Sequence, residues 1–514
     1  MAALSMSCWL EPMGTRKQRR VSLRQFVKVL GAWSIGCWAW YVGTTLAATQ
    51  DGLVQEARVA LRRAVTFFDE QVAVQGGYVY RYSQDLQKRE GEGRADAETV
   101  WVQPPGTPAV GLAYLEAYRL TGEPRLLQAA QDAADCLIKG QLWSGGWTNH
   151  ITFAPQERRR YAYRVDGRPS DRAFNWSTLD DNISQSATRF LMQLDQQLQF
   201  RDSRLHEAAL FALDSILKAQ YPNGAWPQGF RQPAAQDTER YPIIAARFPD
   251  QWSRQFVKQD YWVFYTLNDN ALADTIELML AAAEIYANPG YRQAALGAGQ
   301  FLILAQLPEP QPAWAQQYDF QMYPTWARKF EPPAVTGGES QGVIRVLMRL
   351  YEETGDKRFL EPIPKALDYL ARSTLPNGRL ARFYELKTNR PLFFDRNYQL
   401  TYDSSNVPTH YAFEVSNGVE SLRREYERLV SLSATQLEER RLARRRVRRS
   451  QPSDDSVRRV IGALDERGAW VENGRLRYHG ADDTTQTIIS SQTFIRNLDI
   501  LARFLAAGAP AAKD

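Results

Sequence analysis

The stretch Val110–Lys139, VGLAYLEAYRLTGEPRLLQAAQDAADCLIK, decides how the chain folds. Its first eleven residues space apolar side chains as one face of a helix does. Thr121-Gly122-Glu123-Pro124 then breaks the run, and Arg125–Lys139 resumes it. Two helices joined by so short a turn make a hairpin, and the loop after it ends in Gly145-Gly146-Trp147. The unit recurs. Ile183–Leu198 and Leu205–Gln220 flank Arg201-Asp202-Ser203 and lead to NGAWPQ at Asn223–Gln228. Ala271–Tyr286 and Tyr291–Gln306 flank Asn288-Pro289-Gly290 and lead to PAWAQ at Pro312–Gln316. Ser340–Glu353 and Phe359–Arg372 flank Thr354-Gly355-Asp356 and lead to NGRLARFYE at Asn377–Glu385. Repeated helix hairpins with an aromatic or basic loop at one end of each are the mark of stacked helical pairs. The expected fold is mainly α, an α/α toroid. Its long, unequal loops, rich in Trp, Arg and Asp, turn one end into a cleft. A tetratricopeptide-type scaffold would carry short uniform turns instead.

A chain of 514 residues can hold a large core or two domains, and its net charge of +5 is too small to imply a nucleic-acid partner. The four histidines are scattered, without HExxH spacing, which argues against a zinc enzyme. Cys8 and Cys37 lie in an N-terminal leader, so Cys136 alone remains for the mature chain, with no internal disulfide. That leader, Met1 to about Ala48, has a basic region followed by an uncharged run from Val29 that ends in small residues. It has the shape of a secretory signal, and a retained segment of that length could also anchor the chain in a membrane. Export to the periplasm or the medium, as a monomer, is the expectation. The chain divides into leader (1–48), catalytic toroid (49–423), basic helical linker (424–460) and a C-terminal hairpin and helix (461–514). Arg81–Ala97 reads as a mobile polar loop, Gly468–Tyr478 as a hairpin turning at Asn473-Gly474, and the very basic Arg440–Arg449 as a solvated helix.

The loops carry the chemistry. NWSTLDDNIS at Asn175–Ser184 puts Asp180 and Asp181 just before one helix. TLNDNALAD at Thr266–Asp274 puts Asp269 and Asn270 at the same step of the next unit. Either cluster alone reads as an N-cap, since Asp and Asn are favoured there. Two matched clusters with surplus oxygens point to a shared site, and oxygen-only ligands suit calcium. Arg328, Arg382 and Arg390 stand in aromatic settings (WARKF, LARFYE, TNRPLFF), and arginine grips carboxylates in bidentate fashion. Acids that can hold calcium, arginines and tryptophans together suggest an acidic sugar polymer.

The segments TLDDNISQSATRFL, TLNDNALAD, NGAWPQ, PAWAQQYD, TWARKFEPPAVTGGESQGVIRVLM and LARFYELKTNRPLF, spread in order over roughly Gly145–Phe394, resemble motifs of the polysaccharide lyase family 10 pectate lyases. The resemblance implies an α/α toroid that cleaves polygalacturonate by calcium-assisted β-elimination. It implies calcium ligands at Asp180 and Asp269, a catalytic base at Arg328, and substrate contacts from Arg382, Arg390, Asn270, Trp326 and Asp181. The chain departs from the family pattern at Asp181, often Asn there, and at Tyr318, often His. The insert Gln232–Gln259 and the tail after Arg423 have no match.

Elimination removes the weakly acidic C5 proton beside a uronate carboxylate, so positive charge around that carboxylate lowers the barrier. Arginine is an unusual base because it holds its proton firmly, and a cation-lined cleft is the expected means of loosening it. Lys329 is the alternative base. Two other readings remain: a glycoside hydrolase on the same toroid using Asp180 and Asp269, and a polyuronate-binding protein without catalysis.

Overall fold

The computed structural model describes residues 51–445 and 450–508. The leader read at Met1–Ala48 and the end of the Arg440–Arg449 run lie outside the described residues. The chain divides into two compact units, Met1–Glu56 and Ala57–Asp514, and the second holds the helical repeats. Among the described residues no helix is long and apolar enough to cross a membrane.

Four hairpins form where the apolar periodicity places them: α1 (Thr107–Thr121) with α2 (Pro124–Lys139), α3 (Ile183–Gln197) with α4 (Ser203–Lys218), α5 (Ala271–Tyr286) with α6 (Pro289–Leu304), and α7 (Gly337–Thr354) with α8 (Ile363–Arg372). The turns are ended and restarted by local chemistry. Gly122 and Gly355 take the left-handed conformation that closes α1 and α7, and Asp202 caps α4 by accepting from the backbone N–H of Arg204 and Leu205. The expected helix Phe359–Arg372 is broken instead: a short turn at Lys357–Phe359 precedes α8 because Pro362 and Pro364 remove the donors that would join them.

The C-terminal segment adds α9 (Val419–Val430), α10 (Ala434–Arg445), α11 (Asp454–Gly462) and α12 (Ser491–Gly508). In the inner layer α12 packs on α1, α1 on α3, α3 on α5, α5 on α7 and α7 on α9, which makes the α/α toroid. A domain boundary after residue 423 falls inside α9.

The first three units are clasped in the same way. The loop tryptophans Trp147, Trp226 and Trp314 are fully buried. Each donates its indole N–H to a carbonyl near the end of the preceding outer helix (Leu137, Ile216 and Leu302, at 2.7–2.8 Å). Gln141, Gln220 and Gln306 each donate both to their own loop and to a carbonyl of the next unit, on or beside its outer helix (Ala208, Ala294 and Pro362). A short strand before each inner helix pairs with one after the Trp loop: Ser177–Thr178 with Gly229–Phe230, Tyr265–Thr266 with Gln317–Tyr318. These clasps sit at the N-terminal ends of the inner helices and hold the acidic loops there.

Two expectations are corrected. Arg81–Ala97 is not a loop: it supplies three strands (Arg81–Ser83, Arg89–Glu90, Arg94–Ala95) of a five-stranded sheet whose other strands are Val471–Asn473 and Thr487–Ser490. Gly468–Tyr478 is not a hairpin, because Val471–Asn473 pairs with Thr487–Ser490 rather than folding back at Gly474. Local alternation does not name a strand's partner, and here the partner lies a dozen residues on.

Candidate active site

Leu179-Asp180-Asp181-Asn182 and Leu267-Asn268-Asp269-Asn270 have the same backbone. Asp181 and Asn182 take φ of 49° and 57°, Asp269 and Asn270 take 46° and 61°, just before α3 and α5. Four non-glycine residues in the left-handed region are a strain that recurs at functional sites. Neither α3 nor α5 has a side-chain cap bond, so these acids are not caps. In the repeat, Asp181 is the counterpart of Asp269, and Asp180 that of Asn268.

Asp180, Asp181 and Asp269 each bring one carboxylate oxygen within 4.8 Å of the others. Asp181, expected as a substrate contact, stands in the same cluster as the two expected calcium ligands. Burial, the largest cause, and the Asp269 charge push Asp180 up to about 6, against the pull of Arg328. Burial, then Asp180 and Asp269, push Asp181 up to about 7. Gln103 steadies Asp181 by donating Nε2 to its Oδ2 at 3.1 Å. The Oδ1 atom of Asp180 is buried without a hydrogen-bond partner.

The arginines arrive from the other side. Arg328 places Nη2 at 3.6 Å from Asp269 and 2.8 Å from the buried Glu331, and its Nε donates to Glu331 at 2.8 Å. Arg382 places Nη1 at 3.9 Å from Asp269 and 3.5 Å from the buried Glu339. Tyr411 joins the two: its ring lies under the Arg382 guanidinium at 4.7 Å and its hydroxyl donates to Glu331 at 3.1 Å. Burial, the largest single cause, disfavours the Arg328 charge, but Glu331, Asp180 and Tyr411 together outweigh it, so the guanidinium holds its proton more firmly than in water. This runs opposite to the loosening expected of a base. Five carboxylates face two guanidiniums, a balance that favours an added cation.

The other candidates do not converge. Trp326 is 3% exposed, inside a core with Phe383 and Phe394, and its indole N–H donates to Ser253 at 2.8 Å. It is a packing residue rather than a sugar platform, because the insert Gln232–Gln259 closes over it: Gln259 donates to Thr325 Oγ1 and to the Trp326 carbonyl. Arg390 is exposed, its guanidinium 3.3 Å from the Tyr402 ring centroid rather than paired with the acids. The Lys329 ammonium lies 3.5 Å over Tyr398, so it is not poised as a base. Asn270 lines a separate groove of about 870 Å³ between α5, α7 and α9, facing Gly342 so closely that a Cβ there would meet its Oδ1 at 2.3 Å. Tyr318 is buried, its hydroxyl donating to Ala305 and accepting from Ala315 N–H, so it fixes a loop. Arg440 and Arg444 are not a solvated face: both pair with the buried Glu352 of α7.

Reasoning from sequence missed Glu331, Glu339 and Tyr411. The first two stand inside the quoted TWARKFEPPAVTGGES run, where an acid three residues after Arg328 was a usable signal. Tyr411 lies beyond Phe394, outside the stretch that carries the motifs, and gave none.

Residues 163–356 match the family model described as pectic acid lyase. That span holds the acids Asp180, Asp181, Asp269, Glu331 and Glu339 together with Arg328. The enzyme class is polysaccharide lyase. Within that class, the match bears out the resemblance of the motifs to pectate lyases. Among solved structures, the chain is 18% identical to a mutant family 10 polysaccharide lyase from Cellvibrio cellulosa in complex with trigalacturonic acid, covering 63% of this chain and 98% of that one, with a TM-score of 0.44. A second structure of the Cellvibrio cellulosa family 10 lyase gives 19% identity, 63% and 96% coverage and a TM-score of 0.43. A D-mannose isomerase gives 12%, 88% and 97%, with a TM-score of 0.43. No curated protein matches the chain.

Proposed function

We propose that this enzyme cleaves polygalacturonate, or a closely related uronate polymer, by calcium-assisted β-elimination. The observation that carries the reading is the convergence of Arg328 and Arg382 on a three-carboxylate cluster that exceeds them in charge. The residues fit calcium: the donors are all oxygen, and a buried Asp180 oxygen lacks a partner. Asp180, Asp181 and Asp269 would hold the ion. Bound there, calcium supplies positive charge beside the uronate carboxylate, where enolate-like charge develops. Arg382, braced by Glu339 and Tyr411, grips that carboxylate. Arg328 is assigned the C5 proton. As that proton leaves, the C4–O4 bond breaks, a C4–C5 double bond forms and the departing oxygen takes up a proton from water. To act as base, Arg328 must first give up the proton that Glu331 helps it keep, so its pairing with Glu331 has to loosen in the substrate complex.

A hydrolase would place its two carboxylates about 5–9.5 Å apart. One oxygen from each of these three acids lies within 4.8 Å of the others, so the product formed, rather than the spacing, separates the two reactions. Incubation with polygalacturonate tests the reading. A conjugated product absorbing at ~235 nm is expected, lost in EDTA and restored by calcium, with Asp180→Ala and Asp269→Ala losing most activity. New reducing ends without absorbance would mean hydrolysis, and binding without cleavage would mean a carbohydrate-binding protein. The export expected from the leader belongs to the same proposal, since the polymer lies outside the cell.

A further inference from the structure

With Trp326 buried, the site lacks the aromatic platform expected of it, and the structure offers another. A cleft of about 740 Å³ is lined by Trp176, Trp262, Tyr261 and Asp180, with the exposed Arg172 and Arg231 also on its wall. The two indoles meet edge to face, centroids 6.4 Å apart at 86°, and Tyr261 packs on Trp262 at 5.4 Å.

These tryptophans differ from the others in the loops. Trp147, Trp226 and Trp314 are buried with satisfied indole N–H groups. Trp262 is 38% exposed. Among the described residues neither Trp176 nor Trp262 donates a hydrogen bond from its indole N–H. A half-exposed indole pair beside a charged site forgoes burial free energy that a ligand can recover. The platform is also preformed. Trp176 lies so close on Gly229 that a Cβ there would stand 2.2 Å from its Nε1, and Gly229 is held in the strand pair with Thr178, two residues from Asp180.

We infer that Trp176 and Trp262 form a sugar-ring subsite next to Asp180, binding a uronate unit adjacent to the one being cleaved. The apolar C–H face of a pyranose ring covers the indole, and its carboxylate reaches Arg172 or Arg231. The inference rests on the polyuronate reading above.

The test uses the full chain with calcium, Trp262→Ala, Trp262→Phe and Trp176→Ala. Intrinsic tryptophan fluorescence is titrated with hexagalacturonate, and cleavage is followed by absorbance. Trp262→Ala is expected to lose most of the fluorescence change and to raise KM roughly 10-fold, the effect falling on KM rather than kcat. Trp262→Phe, which keeps an aromatic face, should recover most of the affinity. If wild type cleaves hexagalacturonate while Trp262→Ala and Trp176→Ala keep both KM and the fluorescence change, the subsite is overturned and the proposed function stands. A fall in kcat at constant KM also overturns it, because the ring would then act at the reacting centre. Failure of wild type to bind or cleave hexagalacturonate overturns both.

Discussion

Asp181→Asn in calcium-free solution probes whether the three acids are a cation site or merely polar loop residues. In the unfolded chain Asp181 titrates near 3.8; in the folded protein burial, then Asp180, Asp269 and Glu92, push it up to about 7, against Arg328. Between those values the folded state keeps a proton that the unfolded state has released. Stability from this group is therefore greatest below the unfolded value, falls as pH rises, and is fully lost above about pH 7. At about 1.36 kcal/mol per pH unit, the gap is worth on the order of 4 kcal/mol. Asparagine cannot ionise, and its carbonyl oxygen can accept from Gln103 as Asp181 Oδ2 does at 3.1 Å. In EDTA, wild type and Asp181→Asn should have similar urea midpoints near ~pH 4. At pH 8 the variant should be the more stable, by up to ~4 kcal/mol. Adding calcium at pH 8 should narrow or reverse the order, because wild type binds the ion with one more charge. The reasoning is refuted if the two proteins keep parallel pH profiles in EDTA, or if the variant is the weaker at pH 8. Either result would mean that the Asp181 carboxylate is ionised and satisfied without a metal.

Four further outcomes follow from the geometry. Arg328→Lys loses the fork that grips Glu331; if Arg328 takes the proton, kcat should fall on the order of 10²-fold at nearly constant KM, whereas a retained rate would leave it a source of charge only. Lys329→Ala should leave the rate almost untouched, since the ammonium lies over Tyr398, and a collapse in rate would move the base to position 329. Trp326→Ala empties a packed core position and should lower stability by about 3–5 kcal/mol, read as a shifted denaturant midpoint; a pure KM effect would restore it as a platform. Gly342→Ala drives a methyl against Asn270 Oδ1 and, through the adjoining Asp269, should weaken calcium affinity measured by titration; unchanged affinity would show that Asn270 simply swings aside.

The helix hairpins were legible because a helix is a local object. Apolar spacing, a Gly or Asx turn and a restarting run lie within thirty residues, and Ala271–Tyr286 forms over the very span its spacing marks. The acidic loops were legible for a related reason: Asp181-Asn182 and Asp269-Asn270 repeat at one step of the unit, and a repeat that stacks in register brings equal positions together. The aromatic settings singled out Arg328 and Arg382 and the motif resemblance gave them roles, but no spacing could have shown their meeting with the acids.

What the sequence determined by itself is the repeat, the end of the helices at which chemistry gathers, and the residue types present there. Tertiary structure alone decided which of those residues share a surface. Trp326 and Arg390 carry the same local signal as Arg328 and Arg382, yet the insert closes over the first and Tyr402 stacks on the second. Arg81–Ala97 looked unstructured because its strands are only two or three residues long and the sheet is completed by Thr487–Ser490, some four hundred residues later. Burial and pairing depend on neighbours brought in by distant segments, whereas helical periodicity depends only on the next turn of the same chain.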